Sequence, residues 1–447
     1  MQELEFREPV YGEPAPLSIW LANPFDDIPG EGLPPLRYWS LARVLALRGH
    51  HVVWWSADFS HRRKVHREIQ DRLAEHESFE MRLVPVRPYS KNVSLTRLRS
   101  HRDYGRGFER LALEEIAAGS LERPDLILAS MPPLEGAEAA ATLAQRLDAA
   151  LVVDLMDLWP ETFERALPGP RWFRRLLAPA MLGGLFRRRG QLLAAADGIT
   201  SSTEAFAATA APGRAVHLCR LGAYVEQFPI RPHGDADVQQ GGGDSTAGSA
   251  GRSVPQGLGR PIECVYAASL ESGQDLDTLV AAARLLAQSG TPATLHVAGT
   301  GSFQGLLESA AASMPSTGSC RIVMHGLLDR GSYARLLSRC DAGLVLVKPE
   351  TMVAVPYKAC DFAAAGLAII NSLPGELAGL LDRYRAGIPY EPGNATSLAR
   401  AIRELATDPR RLTELGRGAR RLAESELSRE RIYGRFADWL EGLAIRP

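Results

Sequence analysis

The stretch IECVYAASLESGQDLDTLVAAARLLAQSGTPATLHVAG, residues 262–299, contains the pattern that decides the fold. The apolar run at 262–269 predicts a strand, the apolar residues at 276–288 recur with helical spacing, and the run at 293–299 predicts a second strand. Strands that alternate with helices form a parallel sheet that is covered by helices on both faces. The stretch therefore predicts a β-α-β unit of a doubly wound α/β sheet.

The same alternation extends in both directions along the chain. Downstream, we predict strands at 320–326 and 342–347 around a helix at about 331–339, and then a nearly all-helical tail from about 394 to 443. Upstream, five predicted strands alternate with helical segments, at 17–23, 51–57, 81–86, 125–130 and 151–156. The sequence thus predicts two doubly wound parallel-sheet domains in tandem, with a C-terminal helical tail that crosses back onto the first domain.

A segment poor in bulky apolar residues separates the two halves. Residues 231–261 are dense in Gly, Ser and Pro, and such a segment cannot bury enough apolar surface to order itself. We therefore predict a first domain at 1–228, a flexible linker or insertion at 229–261, a second domain at 262–425 and a C-terminal helix at 426–447.

Composition narrows the class of protein. The chain has 447 residues, 45% of them hydrophobic, and a formal net charge of -1, so nucleic acid is not an expected partner. The N-terminus is acidic and polar, and no run of about 18 apolar residues predicts a membrane span, which favours a cytoplasmic protein. The five cysteines have no C-x-x-C spacing, so we expect buried thiols rather than a zinc site.

The segment VPYKACDFAAAGLAII, residues 355–370, combines two charges with a sequence built for burial. With Pro356 at the first helical position, Lys358 falls in the first turn, where the helix macrodipole disfavours a cation. A phosphate or diphosphate bound there would favour Lys358, and Asp361 would accept hydrogen bonds from sugar hydroxyls. The simpler alternative is an i,i+3 ion pair between Lys358 and Asp361, which contributes only about 0.2 to 0.5 kcal/mol.

Five segments resemble the retaining family 4 glycosyltransferases of bacterial surface-polysaccharide synthesis. The segment at 355–370 resembles the donor-site helix of that family, P-x-K-x-x-[ED]-x-x-A-x-G-x-P, and the segments around 265–286 and 295–307 resemble its second-domain opening and its glycine loop. In the first domain, LVVDLMDLWPETF (151–163) is similar to the D-[IL]-R-D-L-W-P-E block of O-antigen fucosaminyltransferases. The residues from Pro29 to Trp55 resemble the acceptor-side loop, first helix and second strand.

The resemblance implies two facing Rossmann-like domains of the glycosyltransferase B type, with a nucleotide-sugar donor bound mainly by the second. It places Asp361 at the ribose-binding carboxylate and Lys358, with its neighbour Tyr357, beside the diphosphate. It also implies close backbone approach to the donor at Gly299 and Gly301 and to the acceptor at Gly30 and Gly32.

Two departures from the family pattern concern the diphosphate. Many members have an Arg and a Lys after the first strand of the second domain, where this chain has SLESGQDL, with Ser269 and Gln274. A family carboxylate eight residues before Asp361 is replaced by Val353, and Glu350 lies too far upstream to be equated with it. Neutralisation of the diphosphate would fall to Lys358, to Lys348 or to an arginine of the facing domain.

We expect metal-independent transfer with retention of configuration and no cofactor beyond the nucleotide-sugar co-substrate, because no D-x-D motif occurs in a suitable context. Cations and helix N-termini aimed at the departing diphosphate favour its transition state. Asp157 is the first candidate for contacting the reacting sugar or acceptor hydroxyl, and Asp154 the second; a helix N-cap is the alternative for Asp157. Glu161 is predicted to be a first-turn helix acid rather than a catalyst, and Trp159 a core residue rather than a platform for a sugar.

Residues 171–196 mix Arg clusters with Leu, Phe, Trp and Met. Such a stretch either lies on an anionic membrane surface, which suits a lipid-linked or surface-polysaccharide acceptor at the inner face of the plasma membrane, or forms ordinary packed helices with a solvated Arg face. Two other functions remain open, a nucleotide-sugar 2-epimerase and a non-catalytic nucleotide-sugar-binding relative. An NAD enzyme is disfavoured because no strand is followed by G-x-G-x-x-G.

Overall fold

A computed structural model of the chain describes residues 16–29, 31, 36–67, 78–91, 94–166, 171–229, 260–271, 273–314, 318–348 and 355–444, with the side chains of 164–180 excepted. The chain forms two compact units. Unit 1 comprises Met1–Ser202, Phe206–Cys219 and Tyr433–Pro447, and unit 2 comprises Thr203–Ala205 and Arg220–Ile432. Each unit is described separately.

Unit 1 is built on a seven-stranded parallel sheet with the strand order β3-β2-β1-β4-β5-β6-β7. The chain adds β2 and β3 on one side of β1 and β4 to β7 on the other, so the order of strand addition reverses between β1 and β4 near the centre of the sheet. The elements up to its last strand are β1 (Ser18–Ala22), α1 (Arg37–Leu47), β2 (His51–Ala57), β3 (Glu80–Val84), α2 (Leu95–Ala117), β4 (Leu126–Met131), α3 (Leu134–Leu147), β5 (Ala150–Leu155), α4 (Glu161–Ala166), α5 (Arg171–Ala195), β6 (Gly198–Ser201), α6 (Glu204–Ala210) and β7 (His217–Leu218).

Unit 2 repeats this plan with six parallel strands in the order β10-β9-β8-β11-β12-β13. Its central neighbours are β8 and β11. The elements from the first strand onward are β8 (Ile262–Ala267), α7 (Leu276–Gln288), β9 (Ala293–Ala298), α8 (Gln304–Ser313), β10 (Cys320–Gly326), α9 (Arg330–Leu337), β11 (Ala342–Val345), α10 (Tyr357–Ala364), β12 (Ala368–Asn371), α11 (Glu376–Tyr384), β13 (Gly387–Pro389), α12 (Ala395–Thr407), α13 (Pro409–Glu426) and α14 (Arg429–Ala444).

Parallel strands buried on both faces explain the apolar runs in the sequence. In unit 1, β1, β4 and β5 consist of buried residues throughout. In unit 2, α10 lies unusually close to β11, since a Cβ on Gly343 would stand 2.3 Å from the ring of Phe362. This close packing brings the first turn of α10 to the carboxyl end of the sheet, where doubly wound folds bind their ligands.

The predicted fold class is confirmed. Strands β2 and β10 and helix α7 have the predicted bounds, and the tail is helical from Ala395 to Ala444 apart from short breaks. The last helix, α14, belongs to unit 1 from Tyr433 onward, where its Trp439 ring stacks at 4.6 Å on His217 of β7. The predicted tail that returns to the first domain is thus present.

Some sequence expectations have a different outcome in the structure. Residues 220–228, which we assigned to the first domain, lie in unit 2. Most of the Gly/Ser-rich segment, residues 230–259, lies outside the described residues. All five cysteines are buried free thiols, as expected, at Cys219, Cys264, Cys320, Cys340 and Cys360.

Candidate functional site

The switch point of unit 2 lies where the chain leaves β8 and β11. The segment after β8 and the segment after β11 are joined there by a short bridge between Gln274 and Val347, and Lys348 N donates to the Gly273 carbonyl at 3.3 Å. The first turn of α10 follows β11 in the chain. Side chains from three different segments therefore meet at one end of the sheet.

Lys358 is buried at this point, with 8% of its surface exposed. Its Nζ donates to Gln274 Oε1 at 2.8 Å and lies 4.5 Å from the ring centre of Tyr266. The Tyr266 hydroxyl donates to the same Gln274 oxygen at 2.8 Å. Burial lowers the pKa of Lys358 to about 7, because these neutral groups replace only part of its hydration.

Asp361 has a partner of its own, so the predicted alternative of a Lys358–Asp361 pair is wrong. Its two carboxylate oxygens accept from Arg330 Nη1 at 3.2 Å and Nη2 at 3.3 Å. The Arg330 guanidinium also lies 4.6 Å from the ring centre of Phe228. Burial raises the pKa of Asp361, and the charge of Arg330 opposes that rise. The carboxylate is thereby oriented by a cation that the sequence analysis did not include.

Helix α10 begins one residue later than predicted. Pro356 is its N-cap, with extended backbone angles of φ -75° and ψ 150°, and Tyr357 is the first helical residue. The Tyr357 ring centre lies 5.3 Å from the guanidinium of buried Arg429, which also donates to the Gly222 carbonyl at 3.1 Å. The ring of Tyr357 therefore packs within unit 2, against Arg429.

The two glycines after β9 have a clear steric role. Gly299 has φ +137°, and a Cβ there would stand 1.9 Å from the carbonyl oxygen of Ala268; a Cβ on Gly301, at φ +156°, would stand 2.5 Å from that of Leu270. Both positions need glycine because the segment after β9 runs against the segment after β8. The backbone they approach in this structure is thus the neighbouring loop.

Lys348 lies on the segment that follows β11, with its Nζ 5.8 Å from the ring centre of Phe303. Val353 and Glu350, which bear on the family carboxylate, lie outside the described residues, as do Gly30 and Gly32. Gln274 stands where the family pattern has a cation, and it is the hydrogen-bond acceptor of Lys358.

In unit 1, Asp154 proves to be a structural residue. It is fully buried on β5, and its carboxylate accepts from Arg37 Nε at 2.8 Å and Nη2 at 3.0 Å. Arg37, which is 1% exposed, also donates to the Cys219 carbonyl. A carboxylate enclosed in this way does not reach a sugar, so the second catalytic candidate is corrected to one half of a buried ion pair.

Asp157 is only partly buried just beyond the carboxyl end of β5. Its Oδ1 accepts from the backbone amide of Leu158 at 2.8 Å. The cap alternative is wrong, because α4 begins four residues later, at Glu161. The charge of Asp157 acts on Arg97, whose pKa it helps to keep up against the lowering effect of burial.

The DLWPE block is held by a second ion pair. Glu161 begins α4, as predicted, and accepts from Arg189 at 2.6 and 2.8 Å, while Arg189 also donates to the Trp159 carbonyl. Trp159 is partly buried, with its ring 4.3 Å from Phe163 and 5.3 Å from His101. The block is therefore a rigid, aromatic part of the carboxyl edge of the unit 1 sheet.

The Arg cluster of α5 is not a uniformly solvated face. Arg188 donates to Glu138 at 2.7 Å, Arg189 is buried against Glu161, and Arg187 is exposed. Side chains at 171–180 lie outside the described residues. Within the part of the chain that the structure describes, no helix is long and apolar enough to cross a membrane. The same part contains no group of three or more His, Cys, Asp or Glu side chains arranged to hold a metal ion.

Three functional candidates came from the structure alone: Arg330 beside Asp361, and Lys64 with Arg97 in unit 1. Their sequence neighbourhoods contain no motif. Arg330, the first residue of α9, meets Asp361 of α10 across 31 positions of the chain, and Arg97 lies on α2, far in sequence from Lys64. A contact between segments that are distant in the chain produces no local sequence motif, so these residues could not be predicted.

Residues 261–408 match the family model described as Glycosyl transferases group 1. Glycogen synthase from Mycobacterium tuberculosis, in strains CDC 1551 / Oshkosh and H37Rv, is 28% identical over 166 residues, which are 37% of this chain. The matched part spans 39% of the length of those curated relatives.

Solved structures share the fold over nearly the whole chain. Sucrose-phosphate synthase from Thermosynechococcus elongatus has a TM-score of 0.62 at 15% identity, covering 96% of this chain and 99% of that one. Anabaena Alr3699/HepE in complex with UDP has a TM-score of 0.63 at 14% identity, covering 95% and 100%. WaaG, a glycosyltransferase involved in lipopolysaccharide biosynthesis, has a TM-score of 0.59 at 14% identity, with the same coverage. The family model thus matches within unit 2, and the solved structures share the two-domain fold.

Proposed function

We propose that this protein transfers a sugar from a nucleotide-sugar donor to a glycan or lipid-linked acceptor, with retention of anomeric configuration and without a metal ion. The observation that carries the proposal is the position of Lys358, a buried cation in the first turn of α10, at the switch point of unit 2. A diphosphate there would meet both the ammonium group and the positive end of the helix macrodipole. The family model and the UDP complex of Alr3699/HepE support a nucleotide-sugar donor.

The charges of unit 2 fit the two ends of such a donor. Asp361 is oriented by Arg330 and keeps lone pairs for ribose hydroxyls, and Lys358 has exchanged water for Gln274 and Tyr266. When the glycosidic bond to the diphosphate breaks, negative charge grows on the leaving group and positive charge on the sugar ring. Lys358 and the amides of α10 stabilise the departing diphosphate, with Lys348 as the second candidate cation.

In unit 1, Asp157 is the proposed contact for the acceptor hydroxyl or the reacting sugar. It lies beyond the carboxyl end of β5, where doubly wound sheets present their ligand-binding residues, and it is partly exposed. Asp154 is withdrawn from this role because its side chain is fully buried in the pair with Arg37, whereas the side chain of Asp361 keeps 14% of its surface exposed beside Arg330. We further propose that the protein works in the cytoplasm, with α5 in contact with the inner face of the plasma membrane.

The test is a calorimetric titration of the full chain with UDP-, GDP- and dTDP-sugars, repeated on Lys358→Ala and Asp361→Ala. Loss of a charge-assisted hydrogen bond costs about 1.5 to 3 kcal/mol, so Lys358→Ala should weaken binding of the preferred donor by roughly tenfold to 150-fold. Arg284→Ala, at an exposed position of α7, removes a cation elsewhere in unit 2 and should change the affinity by less than about twofold.

Donor binding that survives both substitutions would contradict the assignment of α10. Turnover then separates the proposed transferase from its two rivals. A 2-epimerase converts the donor sugar without any acceptor, and a non-catalytic relative binds the donor without turnover. Sugar transfer only in the presence of an acceptor supports the transferase.

A further inference from the structure

A cluster of cations and aromatic rings occupies the carboxyl edge of the unit 1 sheet. The proposed function gives these residues no role. We call them the basic aromatic cluster. Its members follow β1, β2, β3 and β5 or lie in the first turns of α2: Phe25, His61, Lys64, Tyr89, Arg97, His101 and Trp159. In a doubly wound sheet this edge is where ligands bind, so the cluster stands at a ligand-binding position.

Two cations share one aromatic ring in this cluster. Lys64 Nζ lies 4.6 Å from the ring centre of Tyr89, and the guanidinium carbon of Arg97 lies 5.9 Å from the same centre. The Arg97 guanidinium also lies 5.3 Å from the rings of both Phe25 and Trp159. The charge of Asp157 offsets part of the cost of burying Arg97, and Lys64 Nζ lies 3.4 Å from His61 Nδ1. Two like charges in a partly desolvated setting still cost free energy, and an anion bound beside them would offset more of that cost.

The two histidines do not supply further charge. Burial lowers the pKa of His61 and of His101 to about 3, and the charge of Arg97 contributes to both shifts. Both rings are therefore neutral at neutral pH, and they act as hydrogen-bond partners, His61 with Tyr89 and His101 with Arg97 Nε at 3.2 Å. The positive charge of the cluster rests on Lys64 and Arg97.

The backbone holds Lys64 at a fixed place. Its φ of +59° lies in the left-handed region, which is costly for a residue with a side chain. The turn that enforces it is closed by hydrogen bonds from Lys64 N to Ser60 O and from Ser60 N to Val65 O, both 2.9 Å long. The neighbouring Arg63 is exposed and provides a matched position for comparison.

Two mainly apolar pockets lie next to the cluster, and one of them also has Glu135 and Arg189 in its lining. One pocket is lined by Phe25, Phe59, Tyr89, His101 and Tyr104, and the other by Leu98, Leu134, Trp159, Pro160 and Phe163. Arg97 touches a lining ring of each pocket, Phe25 and Trp159. Aromatic faces beside a cation suit a sugar ring that carries a negatively charged substituent.

We propose that Lys64 and Arg97 receive a negatively charged oxyanion group of the acceptor, a phosphate or a carboxylate, while Phe25, Tyr89 and Trp159 pack against the sugar or chain attached to it. The inference rests on the proposed function only in calling this ligand the acceptor. Asp157, whose charge acts on Arg97, then lies near the bound acceptor. The acceptor is accordingly an acidic glycan or a lipid-linked phosphate.

The test titrates the full chain with hexyl phosphate, methyl glucuronide and uncharged methyl glucoside, by calorimetry and ligand-observed NMR. We expect binding of at least one charged probe, and at least tenfold weaker binding by Arg97→Gln and by Lys64→Gln. Arg63→Gln removes the same charge from the same loop and should change the affinity by less than about twofold. Preference for the phosphate supports a phosphorylated acceptor, and preference for the glucuronide supports a uronic acid.

The proposal is overturned if neither charged probe binds better than methyl glucoside, or if both cluster variants bind the charged probe as the unchanged protein does. Thermal melts identify any variant that fails to fold, and the two substitutions lie on separate segments, so one can report without the other. Arg284→Gln, at an exposed position of α7, should bind the same probes as the unchanged protein does. Titration of the nucleotide sugar on the cluster variants separates failure of this proposal from failure of the proposed function.

Discussion

Arg37 in unit 1 and Lys358 in unit 2 are both buried cations, but their partners differ in charge. Arg37 donates twice to the carboxylate of Asp154, at 2.8 and 3.0 Å. Lys358 donates to an uncharged amide oxygen of Gln274 at 2.8 Å and faces the ring of Tyr266. The comparison teaches that burial does not by itself mark a binding site. What distinguishes the two is whether the fold supplies a counter-charge, as Asp154 does for Arg37, or only uncharged partners.

The pKa values of the two side chains follow this difference. Burial would lower the pKa of Arg37, but the charge of Asp154 and further neighbouring groups outweigh it and raise the pKa. Burial lowers the pKa of Lys358 to about 7, since Gln274 and Tyr266 bring no opposing charge. Arg37 thus stays charged in every relevant condition, whereas Lys358 changes its charge near neutral pH.

The largest expected effect concerns the satisfied pair. Asp154→Ala leaves Arg37 charged and buried, which should lower the free energy of unfolding of unit 1 by about 3 to 5 kcal/mol. Urea unfolding followed by tryptophan fluorescence measures it, because Trp20, Trp54 and Trp55 are buried in that unit. The double variant Arg37→Met with Asp154→Leu should recover most of the loss.

Glu114→Ala is the matched control, because it removes a carboxylate from an exposed i,i+4 pair with Arg110 on α2. Its expected cost is below about 1 kcal/mol. If Asp154→Ala lowers the free energy of unfolding by no more than this control does, the Arg37–Asp154 pair does not stabilise unit 1. The proposed difference between Arg37 and Lys358 would then be wrong.

The second largest expected effect is the pH dependence of donor affinity, which tests whether Lys358 meets the diphosphate. A bound diphosphate raises the pKa of Lys358 above its free value of about 7, so binding takes up a proton at higher pH. Donor affinity should therefore be constant below about pH 7 and fall above it, by up to about tenfold per pH unit until the raised pKa is reached. Calorimetry between about pH 6 and pH 8.5 measures this, and the donor diphosphate stays ionised throughout that range.

Lys358→Arg serves as the control, because a guanidinium stays protonated across this range. Its donor affinity should be weaker but flat with pH. A pH profile of the unchanged protein that is equally flat would show that Lys358 does not meet the diphosphate.

The smallest expected effect concerns Arg187, an exposed cation that contrasts with the buried Arg37 and Lys358. Of the three arginines at 187–189, two form ion pairs within unit 1 and only Arg187 is exposed. Reversing the charge of all three would break those ion pairs, so only Arg187 is suitable for testing contact with a membrane. A cation near an anionic membrane contributes about 1 kcal/mol, and Arg187→Gln should therefore lower partitioning into phosphatidylserine vesicles by roughly fivefold. Arg106→Gln, at an exposed position of α2, is the control. Equal sedimentation of both variants and the unchanged protein would remove the membrane proposal.

The sequence by itself determined the periodic parts of this protein. Helix α7 and strands β2 and β10 have the predicted bounds, because a 3.6-residue or continuous apolar pattern is a local signal of burial. The first two turns of α10, with Lys358 and Asp361, were also predictable to within one residue, since a proline and two charges in an apolar segment can be read from neighbouring residues.

Only the tertiary structure decided what those charges contact. The sequence does not distinguish Asp154 from Asp157, three residues apart, yet one is enclosed by Arg37 from a helix 117 positions away and the other is partly exposed. Arg330 orients Asp361, and Lys64 and Arg97 both lie at the ring of Tyr89. These residues are too far apart in the chain for a local sequence pattern to predict their contacts. A charge becomes structural or functional through its desolvation and its partner, and both are set by packing between segments that are remote in sequence.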